Sequence, residues 1–91
     1  MSDAAPSFHL KVITPRSLVA ETEVEELSLP ALEGYIGILP GHRPLYVGLG
    51  RGILSYRSGR EEERVAVAGG FAQVGPDTVL VMTELTEDDD A

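Results

Sequence analysis

The sequence contains no cysteine, which excludes disulfides and thiolate metal sites. It contains a single lysine, Lys11. No glycine-rich phosphate loop with a following lysine can be drawn. Lys11 falls inside the first apolar alternation rather than on a hairpin tip, which argues against a lipoyl- or biotinyl-type carrier. Basic residues are few: seven against fifteen acidic ones, a net charge of −8. Glu84, Glu87, Asp88, Asp89 and Asp90 carry much of it, leaving −3 for residues 1–83. With no basic patch to meet phosphates, no nucleic-acid partner is expected. No apolar run approaches the ~20 residues of a helical membrane span. The opening "MSDAAPS" has neither a basic nor an apolar region, so no secretory signal is expected.

The 91 residues make one domain, large enough to bury roughly 60–65% of its unfolded surface. Its patterning is that of strands. "FHLKVI" (8–13) alternates Phe8, Leu10 and Val12 against His9 and Lys11. "TPRS" reads as a turn set by Pro15. "LVAETEVEELSLP" (18–30) reads as one or two strands, with a break in phase at Glu25–Glu26. "YIGIL" (35–39) is a short strand between Gly34 and Pro40. "GILSYRS" (52–58) alternates, and "SGREEER" (58–64) is a charged hairpin tip. "RVAVA" (64–68) runs into Gly69–Gly70, "FAQV" (71–74) resumes, "GPD" (75–77) turns, and "TVLVMT" (78–83) is apolar on both faces. Short strands separated by turn chemistry predict an all-β sandwich or flattened barrel. The expected core is Phe8, Leu10, Val12, Leu27, Leu29, Leu54, Val65, Val67, Phe71, Val79 and Val81. The two-faced "TVLVMT" fits either a sheet face covered by a partner or the inside of a closed barrel.

Chemistry-bearing clusters are sparse. The histidines are His9 and His42, and His9 falls on the polar side of a strand. Glu25–Glu26 and Glu61–Glu62–Glu63 are neighbours in sequence, so on a strand they point to opposite faces and do not converge. They read as solvated charge protecting edges and tips. Asp88–Asp90 lacks the glycine turn of a calcium loop. No catalytic, cofactor-binding or metal-binding residue is expected, and no cofactor. The densest constraint is "EGYIGILPGHRPL" (33–45), with Gly34, Gly37 and Gly41 beside Pro40 and Pro44. Glycines permit left-handed angles and prolines restrict freedom.

These residues carry a resemblance. Glu33-Gly34, then Gly37-Ile38-Leu39-Pro40-Gly41-His42 and Pro44, resembles the "EG-x-x-G-hydrophobic-x-PGH-x-P" loop of the epsilon subunit of F-type ATP synthases. Gly69-Gly70-Phe71 is similar to the family's double-glycine turn. In that order, over about Phe8–Glu84, they span nearly the whole chain. The resemblance implies a flattened antiparallel β-sandwich of about ten short strands. It implies a flexible N-terminus at 1–7, the sandwich at 8–84 and an acidic disordered tail at 85–91. It also implies a non-catalytic rotor subunit of a proton-transporting ATP synthase, coupling ion flow to ATP synthesis. Its partners would be the gamma subunit and the ring of c subunits. Membrane contact would come only through the complex, peripherally on the cytoplasmic face of an energy-coupling membrane such as the bacterial inner membrane. The c-ring-facing positions correspond to Glu33, Tyr35 and His42, and the gamma-facing ones to Thr14, His42 and Val47. Position 35 is often acidic or polar in the family, whereas here it is Tyr35. Family members commonly continue into two helices, and the expectation is a short form without them. The alternative is a stand-alone β-sandwich that binds a protein or ligand.

Overall fold

A computed structural model of the chain describes residues 6–86. These residues form eight strands and no helix: β1 (Phe8–Ile13), β2 (Leu18–Val24), β3 (Glu26–Ala31), β4 (Gly34–Ile38), β5 (Leu45–Gly48), β6 (Arg51–Ser58), β7 (Glu61–Val74) and β8 (Thr78–Leu85). The all-β sandwich expected from the sequence is therefore observed, with eight strands among the described residues rather than about ten. β8 extends past the expected domain end at 84: Leu85 pairs with Val67 and the Thr86 N–H donates to Ala66 O at 3.2 Å. The rest of the expected acidic tail, 87–91, and the N-terminal residues 1–5 lie outside the described residues.

The strand pairing resolves into two layers. The path is β2-β1-β8-β7-β6-β3-β4, with β5 added to β7. The first half of β7 pairs with β6, and its second half pairs with β8 on one side and β5 on the other. One layer is therefore β2-β1-β8-β7-β5 and the other β7-β6-β3-β4. β7 can serve both because it bends at Gly69–Gly70, where the register with β8 shifts. Both glycines take left-handed backbone, φ +81° and +110°. The buried Thr83 hydroxyl donates to Gly69 O and closes this bulge. On the opposite side Glu25 carries the chain between layers, confirming the break in phase expected there. Its N–H donates to Arg57 O at 2.8 Å.

Pairing is antiparallel with one departure from the expected antiparallel sandwich: β1 lies parallel to β8, Leu10 beside Val79 and Val12 beside Val81. The first and last strands are joined by no short loop, so nothing forces them to run oppositely. The inward rows form one core. Phe8, Leu10, Val12, Val24, Ala72, Val74, Val79 and Val81 from one layer meet Leu27, Leu29, Ile38, Leu54 and Val67 from the other, all buried. Of the expected core, Val65 is only partly buried against this cluster. Phe71 departs further. It is 39% exposed, because the bulge adds a residue and reverses the alternation that Val67 began. Ala72 and Val74 point inward instead.

Candidate functional surface

Two surface regions gather the residues that the sequence singled out. The first is the β3–β4 hairpin. Ala31 pairs with Gly34, so Leu32 and Glu33 form a two-residue turn, and Gly34 needs glycine at φ +126°. Leu32 is 73% exposed, yet its backbone is anchored: its N–H donates to Gly48 O at 3.0 Å. Its side chain overlies Gly48, where a Cβ would stand 2.8 Å from Leu32 Cδ1. Glu33, Tyr35 and Val47 line one shallow depression of about 450 Å³ together with Leu32, Leu45 and Tyr46. Tyr35 and Tyr46 stand 59% and 71% exposed. Val47 differs from the other expected contact residues, being 7% exposed and part of the core. In "LYVG" three apolar residues follow one another, so alternation alone does not say which faces in. The exposed side chains of β5 are Leu45 and Tyr46.

The second region surrounds Thr14. Its hydroxyl accepts from the N–H groups of Arg16 and Ser17 at 3.1 and 3.2 Å, and its own N–H donates to Ser17 O at 2.9 Å. Thr14 thus builds the β1–β2 turn. Beside it lies an apolar depression of about 290 Å³ lined by Ile13, Pro15, Phe71 and Met82. Ile13, Met82 and Phe71 belong to a row that the registers draw across the outer face of the layer: Leu18, Ile13, Met82, Phe71 and Gly48. At Gly48 the row meets Leu32 of the hairpin. The outer face of "TVLVMT" is therefore surface. Leu80 and Met82 are half-buried there, while Val79 and Val81 are in the core.

His42 sits apart from both, in the loop between β4 and β5. Gly41, at φ +83°, donates its N–H to Pro76 O at 3.0 Å, and the His42 N–H donates to Leu39 O at 3.2 Å. The loop is thereby pinned to the β7–β8 turn. His42 Nδ1 donates to Arg43 O at 2.7 Å. A carbonyl only accepts, so Nδ1 carries the proton and Nε2 is the nitrogen outside this contact. Arg43 is exposed.

Sequence reasoning missed the apolar outer row. Its signal was present in the double glycine, which marks a bulge inside a strand, and in the two-faced β8. His9, expected as a plain surface residue, bridges two carboxylates: Nε2 to Glu21 at 2.8 Å and Nδ1 to Glu23 at 3.2 Å. The hydrogen bond to Glu21, then that to Glu23, raises the His9 pKa above 6.5, and the same contact lowers that of Glu21. This triad pairs β1 with the edge strand β2. Among the described residues, no three histidine, aspartate or glutamate side chains are placed to hold a metal ion.

Comparison with known proteins agrees with this geometry. The family model for the ATP synthase delta/epsilon chain β-sandwich domain matches residues 7–88. The ATP synthase epsilon chain of Moorella thermoacetica is 42% identical over 82 residues, 89% of this chain and 61% of that protein. That of Koribacter versatilis is 41% identical over 83 residues, 91% of this chain and 58% of that protein. The chain thus spans about three-fifths of the length of these curated relatives. A chain in the Euglena gracilis mitochondrial ATP synthase structure containing OSCP, F1 and c-ring shares the fold. Its TM-score is 0.83 at 24% identity, over 98% of this chain and 59% of that one. A chain of the Tetrahymena thermophila central stalk and c-ring structure does so at 0.73 and 17% identity, over 89% and 66%. Matched from residue 7 to residue 88, the chain belongs to the ATP synthase delta/epsilon β-sandwich family.

Proposed function

We propose that this domain is a non-catalytic part of the rotor of an F-type ATP synthase. It joins the gamma subunit to the c ring and thereby helps couple ion translocation to ATP synthesis. One observation carries the reading: in a domain of the delta/epsilon family, an exposed apolar row runs from the Thr14 turn to the β3–β4 hairpin. Rows of this kind on a small domain mark interaction surfaces. A surface that must transmit torque needs a fixed backbone, and both of its ends are tied by main-chain hydrogen bonds. In this reading the hairpin with Glu33 and Tyr35 faces the c ring. The Thr14 turn, with Phe71 and Met82, faces gamma, and the pinned His42–Arg43 loop lies at the rim. The acidic chain meets the membrane peripherally, through the complex, on the cytoplasmic face. The test is affinity capture with purified gamma subunit, alone and on its c ring. Saturable capture of both supports the proposal. Absence of capture would leave a stand-alone β-sandwich binding module as the better account.

A further inference from the structure

Tyr35 closes a gap in the sheet. By register, Tyr35 lies beside Pro30, and continuing the β3–β6 pairing places Ile53 on the other side of Pro30. The β3–β6 ladder stops short of this row, covering Glu26–Ser28. Proline has no N–H to offer it, and the Pro30 carbonyl accepts instead from Gly50 N at 2.8 Å. The Ile53 N–H is left without its β3 acceptor. Tyr35 Oη accepts it at 2.9 Å, reaching over the proline from the next strand. Pro30 is buried beneath it. Gly52 makes the seat: a Cβ there would stand 2.5 Å from Tyr35 Oη and 2.8 Å from Pro30 Cβ.

We infer that Tyr35 is a positioning residue whose hydroxyl latches β4 to β6 and so fixes the angle of the Leu32–Glu33 turn. The inference rests on the reading of that hairpin as a rotor contact. The ring remains 59% exposed and available to the partner, while the hydroxyl is committed inward. The latch presents the hairpin already ordered, so less freedom is lost on binding.

The test uses Tyr35→Phe, which keeps the ring, and Gly52→Ala, which keeps the hydroxyl but fills its seat. Tyr46→Phe, on the same depression, is the control. Amide hydrogen exchange by NMR reads the latch, and affinity for the gamma–c-ring assembly reads its consequence. Losing one neutral hydrogen bond should speed exchange at Ile53 roughly five- to tenfold in Tyr35→Phe. The hairpin amide of Leu32 should follow, with weaker c-ring binding and unchanged capture by gamma alone. Gly52→Ala should reproduce this, and Tyr46→Phe, whose hydroxyl does not meet Ile53, should leave exchange at Ile53 unchanged. Exchange at Ile53 within about twofold of wild type would overturn the inference, since one neutral hydrogen bond predicts more. So would a loosened hairpin that binds the assembly as tightly as before. If the wild-type chain itself does not bind the assembly, the rotor reading fails, while exchange at Ile53 still decides whether the latch exists.

Discussion

Replacing Gly70 by alanine should be far more damaging than replacing Gly69, its neighbour in the same bulge. Both residues have positive φ, +81° at Gly69 and +110° at Gly70. A Cβ at Gly69 meets nothing within 4 Å, so Gly69→Ala carries only the left-handed penalty, about 1–2 kcal/mol. At Gly70 a Cβ would stand 2.0 Å from Met82 O and 2.8 Å from Thr83 Cα. These are backbone atoms of the paired strand and cannot rotate away. Backbone strain of about 1–3 kcal/mol then adds to overpacking of similar size, about 2–6 kcal/mol together. A domain of this length has about 5–13 kcal/mol of stability in all. Even the lower figure lowers Tm by roughly 10 °C. Urea unfolding followed by far-UV circular dichroism gives both values. Equal losses for the two variants would refute the idea that β7 turns between layers by close backbone approach at Gly70.

Further expectations follow from the core and the surface pairs. Leu54→Ala, at a fully buried site, should cost about 2–5 kcal/mol. Phe71→Ser, on the outer face and only partly covered, should cost clearly less than Leu54→Ala, and denaturant midpoints decide both. Thr83→Val should destabilise by about 1–3 kcal/mol, since it removes the donor to Gly69 O within the bulge. Arg57 bonds Glu25 at 2.9 Å, Glu26 at 3.2 Å and Gly59 O at 3.1 Å, but its side chain is 41% exposed. Arg57→Ala should therefore destabilise only slightly, because water screens so exposed a group, and Arg57→Lys should recover little of the loss, lacking the fork. For His9, the raised pKa means its pairing is fully present below pH 6.5 and is lost as pH rises through the folded value. The lowered Glu21 pKa means its share is present above pH 4.5 and is lost as pH falls through its own folded value. Tm measured against pH should therefore show a wild-type advantage over His9→Gln that is greatest between those limits, and a flat difference would exclude the triad.

Much of this fold is legible in its alternation. Phe8, Leu10 and Val12 point inward as their spacing says, and so do Val79 and Val81. The charged tip folds back as expected, with Ser58 opposite Glu61 and Gly59 at φ +61°. Phe71 is misread because one extra residue at the double glycine reverses the phase; the glycines mark the place of a bulge but not the number of residues it adds. That Val47 faces the core is not legible either, because a run of apolar residues carries no alternation. The β1–β8 pairing joins the first and last of the described strands, and no local pattern specifies a contact so distant in sequence. At the candidate surface, the hairpin and the His42 loop stood out through their glycines and prolines. The apolar row did not, because Leu18, Ile13, Met82 and Phe71 come from four strands and become neighbours only through register.

The most direct test of the rotor reading is quantitative binding of this chain to the gamma–c-ring assembly, with substitutions on and off the proposed surface. Phe71→Glu and Met82→Glu, on the outer row, should abolish capture by gamma while both variants still unfold cooperatively, Met82→Glu with the larger loss of stability because that side chain is half-buried. Arg43→Glu and His42→Ala, at the rim, should fold normally and weaken binding less. Lys11→Glu lies on the same layer but outside the row, beside Glu21 and Leu80, and should bind nearly as wild type does. If the two row variants fold and still bind gamma with wild-type affinity, the apolar row is not the interface and the proposed orientation of the domain in the rotor is wrong.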